Sequence, residues 1–216
     1  MSKPASATSD TSTSRMDRRR ERTRQQLMQA AIELVLQKGA DETAIDEVTD
    51  KADVGRRTFY NHFDNKEDCV KAAITERFGR YAAESVLVAE KHDDPAVVLT
   101  VSALAVFNRI ATDPITAQLA SLPRLLIDAT QDSQRDFIMR TLLKGYEQGR
   151  FASPLPLEAL DALVSWGFIG LVLEEITTLG TQDRSAVWAH YLLHILGIEQ
   201  EEIASIIAAA RNTPLP

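Results

Sequence analysis

TAIDEVTDKADVGRRTFYNHFDNKEDCVKAAI, Thr43 to Ile74, is the stretch on which the fold turns. The hydroxyl of Thr43 is suited to cap a helix, and Asp46 stands three residues on, a weak variant of the capping box. Ile45, Val48 and Ala52 then recur at helical spacing as one inward face. Asp53-Val54-Gly55 reads as a turn. A further helix carries Arg56 to His62, with Phe59 and Phe63 one turn apart on one side. Asn65 is the next cap, with Asp68 at the box position, and the helix it opens buries Val70, Ala73, Ile74 and Phe78.

Upstream, Leu27, Ala30, Ala31, Leu34 and Val35 follow the i, i+3, i+4, i+7, i+8 spacing of one buried helix face, and Gly39 supplies the stop. Short helices in tandem at this spacing form a compact unit. Ahead of it lie six Arg between Arg15 and Arg24, opposed only by Asp17 and Glu21. Residues 1–14 are rich in Ser, Thr and Ala and cannot repay their ordering entropy, so they are expected to be disordered. Downstream, Asp94-Pro95 and Asp113-Pro114 each place a capping acid before a proline suited to a first helical turn. Pro123 is expected to break or kink the segment that follows Ile115. Asp132 to Gly149, Leu157 to Leu179, Asp183 to Leu196 and Glu199 to Ala210 read as helices, with a rigid loop at Ser153-Pro154-Leu155-Pro156. No alternating strand pattern and no internal repeat is visible, so the expected fold class is all-α. The expected division is a tail over 1–17, a helix-turn-helix domain over 18–65 and a helical domain over 66–216, with 66–82 as the connecting helix.

The outer face of the helix from Arg56 has the chemistry of a DNA reader. Arg is the best bidentate partner for guanine O6/N7, and Arg56 and Arg57 lie at the N-terminal end, where such a helix points into the major groove. Asn61, one turn along, is suited to adenine. Thr43 and Lys66, each at a helix N-terminus, are candidate phosphate clamps. Tyr60 and His62 are further candidate phosphate donors, the alternatives being packing of Tyr60 against the first helix and a core-edge role for His62.

The same stretch resembles the DNA-binding region of TetR/AcrR-family regulators. The matching pieces are Thr43, Val48, Ala52, Val54, Thr58, Phe59-Tyr60, His62-Phe63 and Lys66-Glu67, preceded by a first helix over Ala30 to Gly39. The resemblance covers about residues 20 to 75. It implies an N-terminal three-helix DNA-binding domain followed by a helical ligand-binding and dimerisation domain, and it groups Thr58 and His62 with the phosphate contacts. Two positions depart from the pattern. Gly55 stands where Ser or Thr often caps the recognition helix, which costs only a few tenths of a kcal/mol, and Arg57 stands where a small residue is common. The run Arg15 to Arg24 is either a basic arm for an adjacent minor groove or backbone, or a solubilising tail.

Charge is distributed accordingly. The chain has 216 residues and a formal net charge of −7. Residues 1–71 carry 13 Lys and Arg against 13 Asp and Glu, leaving 11 against 18 in 72–216, so the whole acidic surplus lies away from the reader. One cysteine, Cys69, excludes an internal disulfide and reads as a small buried apolar residue. The N-terminus has no signal-peptide pattern, and the apolar window Ala162 to Leu173 is too short to cross a bilayer. The expected location is the cytoplasm, with no membrane association.

In the acidic part, the helix from Leu157 is apolar around most of its circumference, so one face packs on its own domain and another on something else. A partner subunit is the economical reading, with a buried central helix of a monomer as the alternative. Gly167, Gly170 and Leu171, with Trp188, Tyr191, Leu192 and Ile195 on the following helix, are the candidate homodimer face. Two reading helices roughly 34 Å apart would meet successive major grooves of a pseudo-palindromic operator. An effector pocket is expected among the middle helices, with Phe107, Arg109, Met139, Tyr146 and Trp166 as candidates. His190 and His194 sit at i, i+4 but have no third ligand in view, so no metal is expected, and no cofactor. Neither a nucleophile elbow, a phosphate-cradling glycine loop nor a carboxylate pair points to an enzyme. The functional expectation is a DNA-binding regulator released from its operator by a small molecule. The alternative is an architectural or division-linked DNA-binding protein of the same fold, controlled by a protein partner.

Overall fold

The computed structural model describes residues 15–177 and 183–214, and among them ten helices and no strand. They run α1 (Arg15–Lys38), α2 (Ile45–Lys51), α3 (Arg56–Tyr60), α4 (Lys66–Ala89), α5 (Pro95–Thr112), α6 (Pro114–Gln118), α7 (Pro123–Glu147), α8 (Leu157–Thr177), α9 (Arg184–Ile195) and α10 (Gln200–Arg211). The expected disordered stretch over 1–14 lies outside the described residues, as do Thr178 and Leu179 at the expected end of α8. The helix α1 already includes Arg15, Met16 and Asp17, three residues ahead of the expected domain boundary.

Local chemistry sets the boundaries. The Asn65 side chain accepts from the Asp68 N–H at 2.8 Å, that of Asp94 from Ala96 N–H at 2.9 Å, and that of Asp113 from Ile115 N–H at 3.0 Å. Each satisfies a donor that a helix start leaves unpaired. The start of α2 differs from expectation: its cap residue is Ala44, and Glu47, not Asp46, closes the turn by accepting the Ala44 N–H at 3.0 Å. Gly39 ends α1 with φ +88°, a conformation open to glycine at little cost, and Asp53 takes φ +53° in the turn before α3, where Asp tolerates the left-handed region. Pro123 breaks the segment that follows Ile115, α6 ending at Gln118 ahead of it. It occupies the first turn of α7, where its missing N–H costs nothing, so α7 begins nine residues ahead of the expected Asp132.

Packing makes two tiers joined by one core. The helix α2 packs on α1 and α3 on α2, and α1 rests on α4 and α6. Around α5 gather α4, α7, α8, α9 and α10. One continuous apolar cluster runs from Leu27, Val48, Phe59 and Phe63 through Ile74 and Phe78 to Ile110, Ile115, Phe168 and Trp188. Among the described residues α5, rather than the window in α8, is the helix long and apolar enough to cross a bilayer, and 67% of it is buried within the fold. Its hydropathy is that of a central core helix.

Candidate functional site

The headpiece is built from beneath. Phe59 is fully buried and Phe63 is 6% exposed, their ring centroids 5.8 Å apart. They pin α3 to α1 and leave its opposite face outward. Arg57 and Asn61 lie one turn apart on that exposed face, and Arg56 is exposed at the N-terminal end of the helix. The Arg56 Nη1 pairs with Asp46 Oδ1 of α2 at 3.1 Å. The neighbouring Tyr60 hydroxyl, then Asp46, hold its guanidinium above the ordinary arginine range. Tyr60 is 46% exposed, its ring edge-on to Phe59 at 5.6 Å. Thr58 is half-buried.

His62 is half-buried beside the N-terminal half of α1. Burial, then the charges of Arg20 and Arg24, push its pKa below 6.5. Asn61 and His62 share a groove with Met16, Arg19, Arg20 and Thr23. The basic run is therefore part of α1 and not a free arm, and its arginines flank the end of the reading helix. Helical phase carried the signal: Arg20 and Arg24 precede Leu27 and Ala31 on the side that meets α3, and the Arg24 guanidinium lies 5.2 Å from the Phe63 ring centroid.

Two expected phosphate clamps are turned to internal partners. Thr43 is 2% exposed, and its hydroxyl donates to the Gly39 carbonyl at 2.8 Å. Its N–H reaches the Ala40 carbonyl at 3.3 Å. Both of its donors are spent on the turn that ends α1. Lys66 Nζ donates to the Ala40 carbonyl at 2.8 Å, tying the start of α4 to the same turn. Cys69 is buried, and burial pushes its thiol up to about 12, so at neutral pH it is an inert apolar residue.

The larger domain encloses a cavity of about 110 Å³ between α5, α7, α8 and α9. Phe137, Phe168, Trp188, Met139 and Leu142 give it an apolar wall, and Ser102, Gln131, Gln134, Asp161 and Ser165 are its polar edge. Of the five expected pocket residues it takes only Met139. Phe107 stands behind the wall, edge-on to Phe168 at 5.8 Å. Arg109 pairs with Glu84 at 2.5 Å and lies over the Tyr81 ring. Tyr146 packs edge-on against Phe151 at 6.0 Å, and Trp166 is 51% exposed. What sequence reasoning missed here was the polar edge, because Gln134 and Ser102 come from separate helices whose juxtaposition no local spacing encodes.

The expected dimer face divides. Trp188 and Leu192 are 3% and 7% exposed within one protomer, and both line the cavity. A Cβ at Gly167 would lie 3.2 Å from the Tyr191 ring, so this glycine serves the packing of α8 on α9 inside the subunit. Gly170 is exposed, with open space where a Cβ would point. Leu171, Tyr191 and Ile195 are half-buried. Among the described residues, the large apolar groups left outside on these two helices are Leu163 (44% exposed), Trp166 (51%) and Val187 (40%). His190 and His194 are exposed on α9. Among the described residues no three His, Cys, Asp or Glu are grouped to hold a metal.

Comparison with known proteins gives the same headpiece. The family model described as bacterial regulatory proteins, tetR family, matches residues 27–73. The HTH-type transcriptional regulator TcmR of Streptomyces glaucescens is 36% identical over 58 residues, 27% of this chain and 26% of that protein, so the match spans about a quarter of that relative. The crystal structure of RolR in complex with the ligand resorcinol superposes with a TM-score of 0.75 at 26% identity, over 92% of this chain and 97% of that one. The fatty acid degradation regulator FadR from Bacillus halodurans shares the fold, with a TM-score of 0.58 at 19% identity over 81% of this chain and 95% of that one.

Proposed function

Through residues 27–73 the chain belongs to the tetR family of bacterial regulatory proteins, and on that premise we propose that it is a sequence-specific transcriptional repressor, released from operator DNA by a small-molecule effector. The observation that carries this reading is the outward face of α3. Arg56, Arg57 and Asn61 stand exposed on a helix whose other side is fixed by two buried rings. Arg56 and Arg57 read guanine edges and Asn61 an adenine edge. Tyr60, Thr58, His62 and the arginines of α1 set the helix on the phosphates. Lys66 acts indirectly by holding the turn between α1 and α2, and Thr43 does the same. The working division is a headpiece over 18–65 and an effector and dimer domain over 66–216.

The cavity supports the effector half of the reading, since RolR, 26% identical over most of both chains, is a regulator whose structure holds a small ligand. A homodimer formed through Leu163, Trp166, Gly170 and Val187 supplies two reading helices for a pseudo-palindrome. Neither catalysis nor a membrane enters this reading, and its place is the cytoplasm with the DNA. Selection from random duplexes with the purified full-length protein, at moderate ionic strength, tests it. The expected product is a two-fold symmetric site with half-sites about one helical turn apart. Recovery of unselected duplexes without base preference would return the protein to an architectural role.

A further inference from the structure

Resting on the repressor reading, the cavity can be read further for the chemistry of what fills it. Its volume of about 110 Å³ is of the order of the roughly 150 Å³ that holds benzene in an apolar protein interior. That volume is on the scale of one six-membered ring. Phe137, Phe168 and Trp188 line the cavity, Phe168 and Trp188 edge-on to each other at 5.4 Å, and aromatic rings pack favourably on such a lining.

The polar edge is selective. Gln134 on α7 is 9% exposed and lines the cavity. Among the described residues no hydrogen bond reaches its carboxamide. Its amide atoms are not among the buried groups sealed without a partner, so they keep accessible surface and are free to pair with a ligand, and a ligand that covered them without pairing would bind more weakly for it. On α5, Ser102 also lines the cavity, and its Oγ lies 3.1 Å from Ser85 Oγ. Ser85 spends its own proton on the Ala82 carbonyl at 2.8 Å. Ser102 therefore donates to Ser85 and keeps lone pairs for a donor from the cavity. Arg135 and Asp161, the two ionisable groups on the lining, are both exposed. With no buried cation, an anionic ligand would lose its hydration without a countercharge.

We infer that the cavity binds an uncharged single-ring aromatic bearing a hydroxyl, a phenol, with Gln134 and Ser102 as the groups that read the hydroxyl.

Isothermal titration of the purified full-length protein with phenol, toluene and benzoate tests this. Phenol is expected to bind at least tenfold more tightly than benzoate. Gln134→Leu should weaken phenol about tenfold, the scale of one buried hydrogen bond, while toluene stays within twofold. Thermal melting checks that the variant folds. If it does not, Ser102→Ala carries the same test, with a several-fold loss for phenol alone. Benzoate binding as tightly as phenol, an unchanged phenol affinity in both variants, or no single-ring compound binding would overturn the inference. Release of the selected operator is measured separately. Phenol bound with the operator retained sinks the repressor reading and spares the cavity assignment, whereas release only by larger or charged compounds does the reverse.

Discussion

Arg56 and Arg57 are adjacent in the chain but differently placed for reading a base. Arg56 must leave Asp46, 3.1 Å away, to reach a guanine, whereas Arg57 has no ion pair among the described residues. Arg56→Ala is expected to weaken the selected site on the order of tenfold and to relax base preference at one half-site position. Lys66→Ala removes the bond to the Ala40 carbonyl, so it should lower affinity for every duplex alike and lower the melting temperature as well. Filter binding on selected and random duplexes, beside thermal melting, separates the two, and equal losses on both duplexes for Arg56→Ala would contradict its role. His62 adds a pH dependence. In the free protein burial, then Arg20 and Arg24, hold it below 6.5 and so neutral at pH 7. The stability this gives the free fold is present above 6.5 and is lost as pH falls through the depressed value. Against a phosphate the charged ring is favoured, so binding takes up a proton between the depressed pKa and the higher value on DNA. Affinity for any duplex should therefore rise as pH falls from 7.5 toward 6, and His62→Gln should flatten that slope. An unchanged slope in the variant would remove His62 from the phosphate contacts.

Among the helices, α4 and α6 both link the headpiece to the helices around the cavity, and α4, which starts under the headpiece and packs along α5 and α7, makes the longer contact. A single carboxylate joins it to the turn between α5 and α6. Asp113, with its side chain 1% exposed, pairs with Arg77 of α4. It also accepts the Tyr81 hydroxyl at 2.5 Å and caps α6 through the Ile115 N–H. The Asp113 carboxylate, as hydrogen-bond partner, holds the Arg77 guanidinium above its ordinary range. Asp113→Ala would leave that guanidinium without its partner and α6 without its cap. A loss of roughly 2–4 kcal/mol is expected, less than for a fully buried pair because Arg77 keeps some solvent access. Urea unfolding measures it, and a loss under 1 kcal/mol would show the junction to be incidental. The cap was legible in the sequence because Asp-Pro is a local signal, and so were the helices whose apolar residues recur at one phase. The ion pair was not, since 36 residues separate Arg77 from Asp113 and nothing local links them. The start of α2 misled for a related reason: Thr43 has a good capping side chain, but the glycine turn before it offers a carbonyl that takes the hydroxyl first. Four of the five expected pocket residues lie off the lining of this cavity, because burial and lining differ only once helices are placed in space.

Taken whole, the protomer is continuous in its core but incomplete at its surface. The apolar cluster that begins at Leu27 ends at Trp188, so a ligand that reshapes the cavity wall strains the packing that orients the headpiece. Reorienting one headpiece matters only if a second is held at a fixed distance, which places the burden on the face of α8 and α9. Leu163, Trp166 and Val187 are each at least 40% exposed there, and Gly170 beside them has open space above it, leaving room for close approach by another helix pair. Two copies of that face meeting about a two-fold axis would give a four-helix seam that includes Trp166. Buried aromatic anchors carry much of the energy of such seams. Trp166→Glu places a charge in each half of the seam, and it should raise the dimer dissociation constant on the order of a hundredfold while leaving the monomer folded, because the ring touches solvent in the isolated subunit. Sedimentation over a concentration series reads the first effect and far-ultraviolet circular dichroism the second. The monomeric variant should also lose the two-fold symmetric site yet keep weak, salt-sensitive binding to a single half-site, since each headpiece retains its own arginines. A variant that stays dimeric at sub-micromolar concentration would move the seam elsewhere on the molecule and release Trp166 from this role.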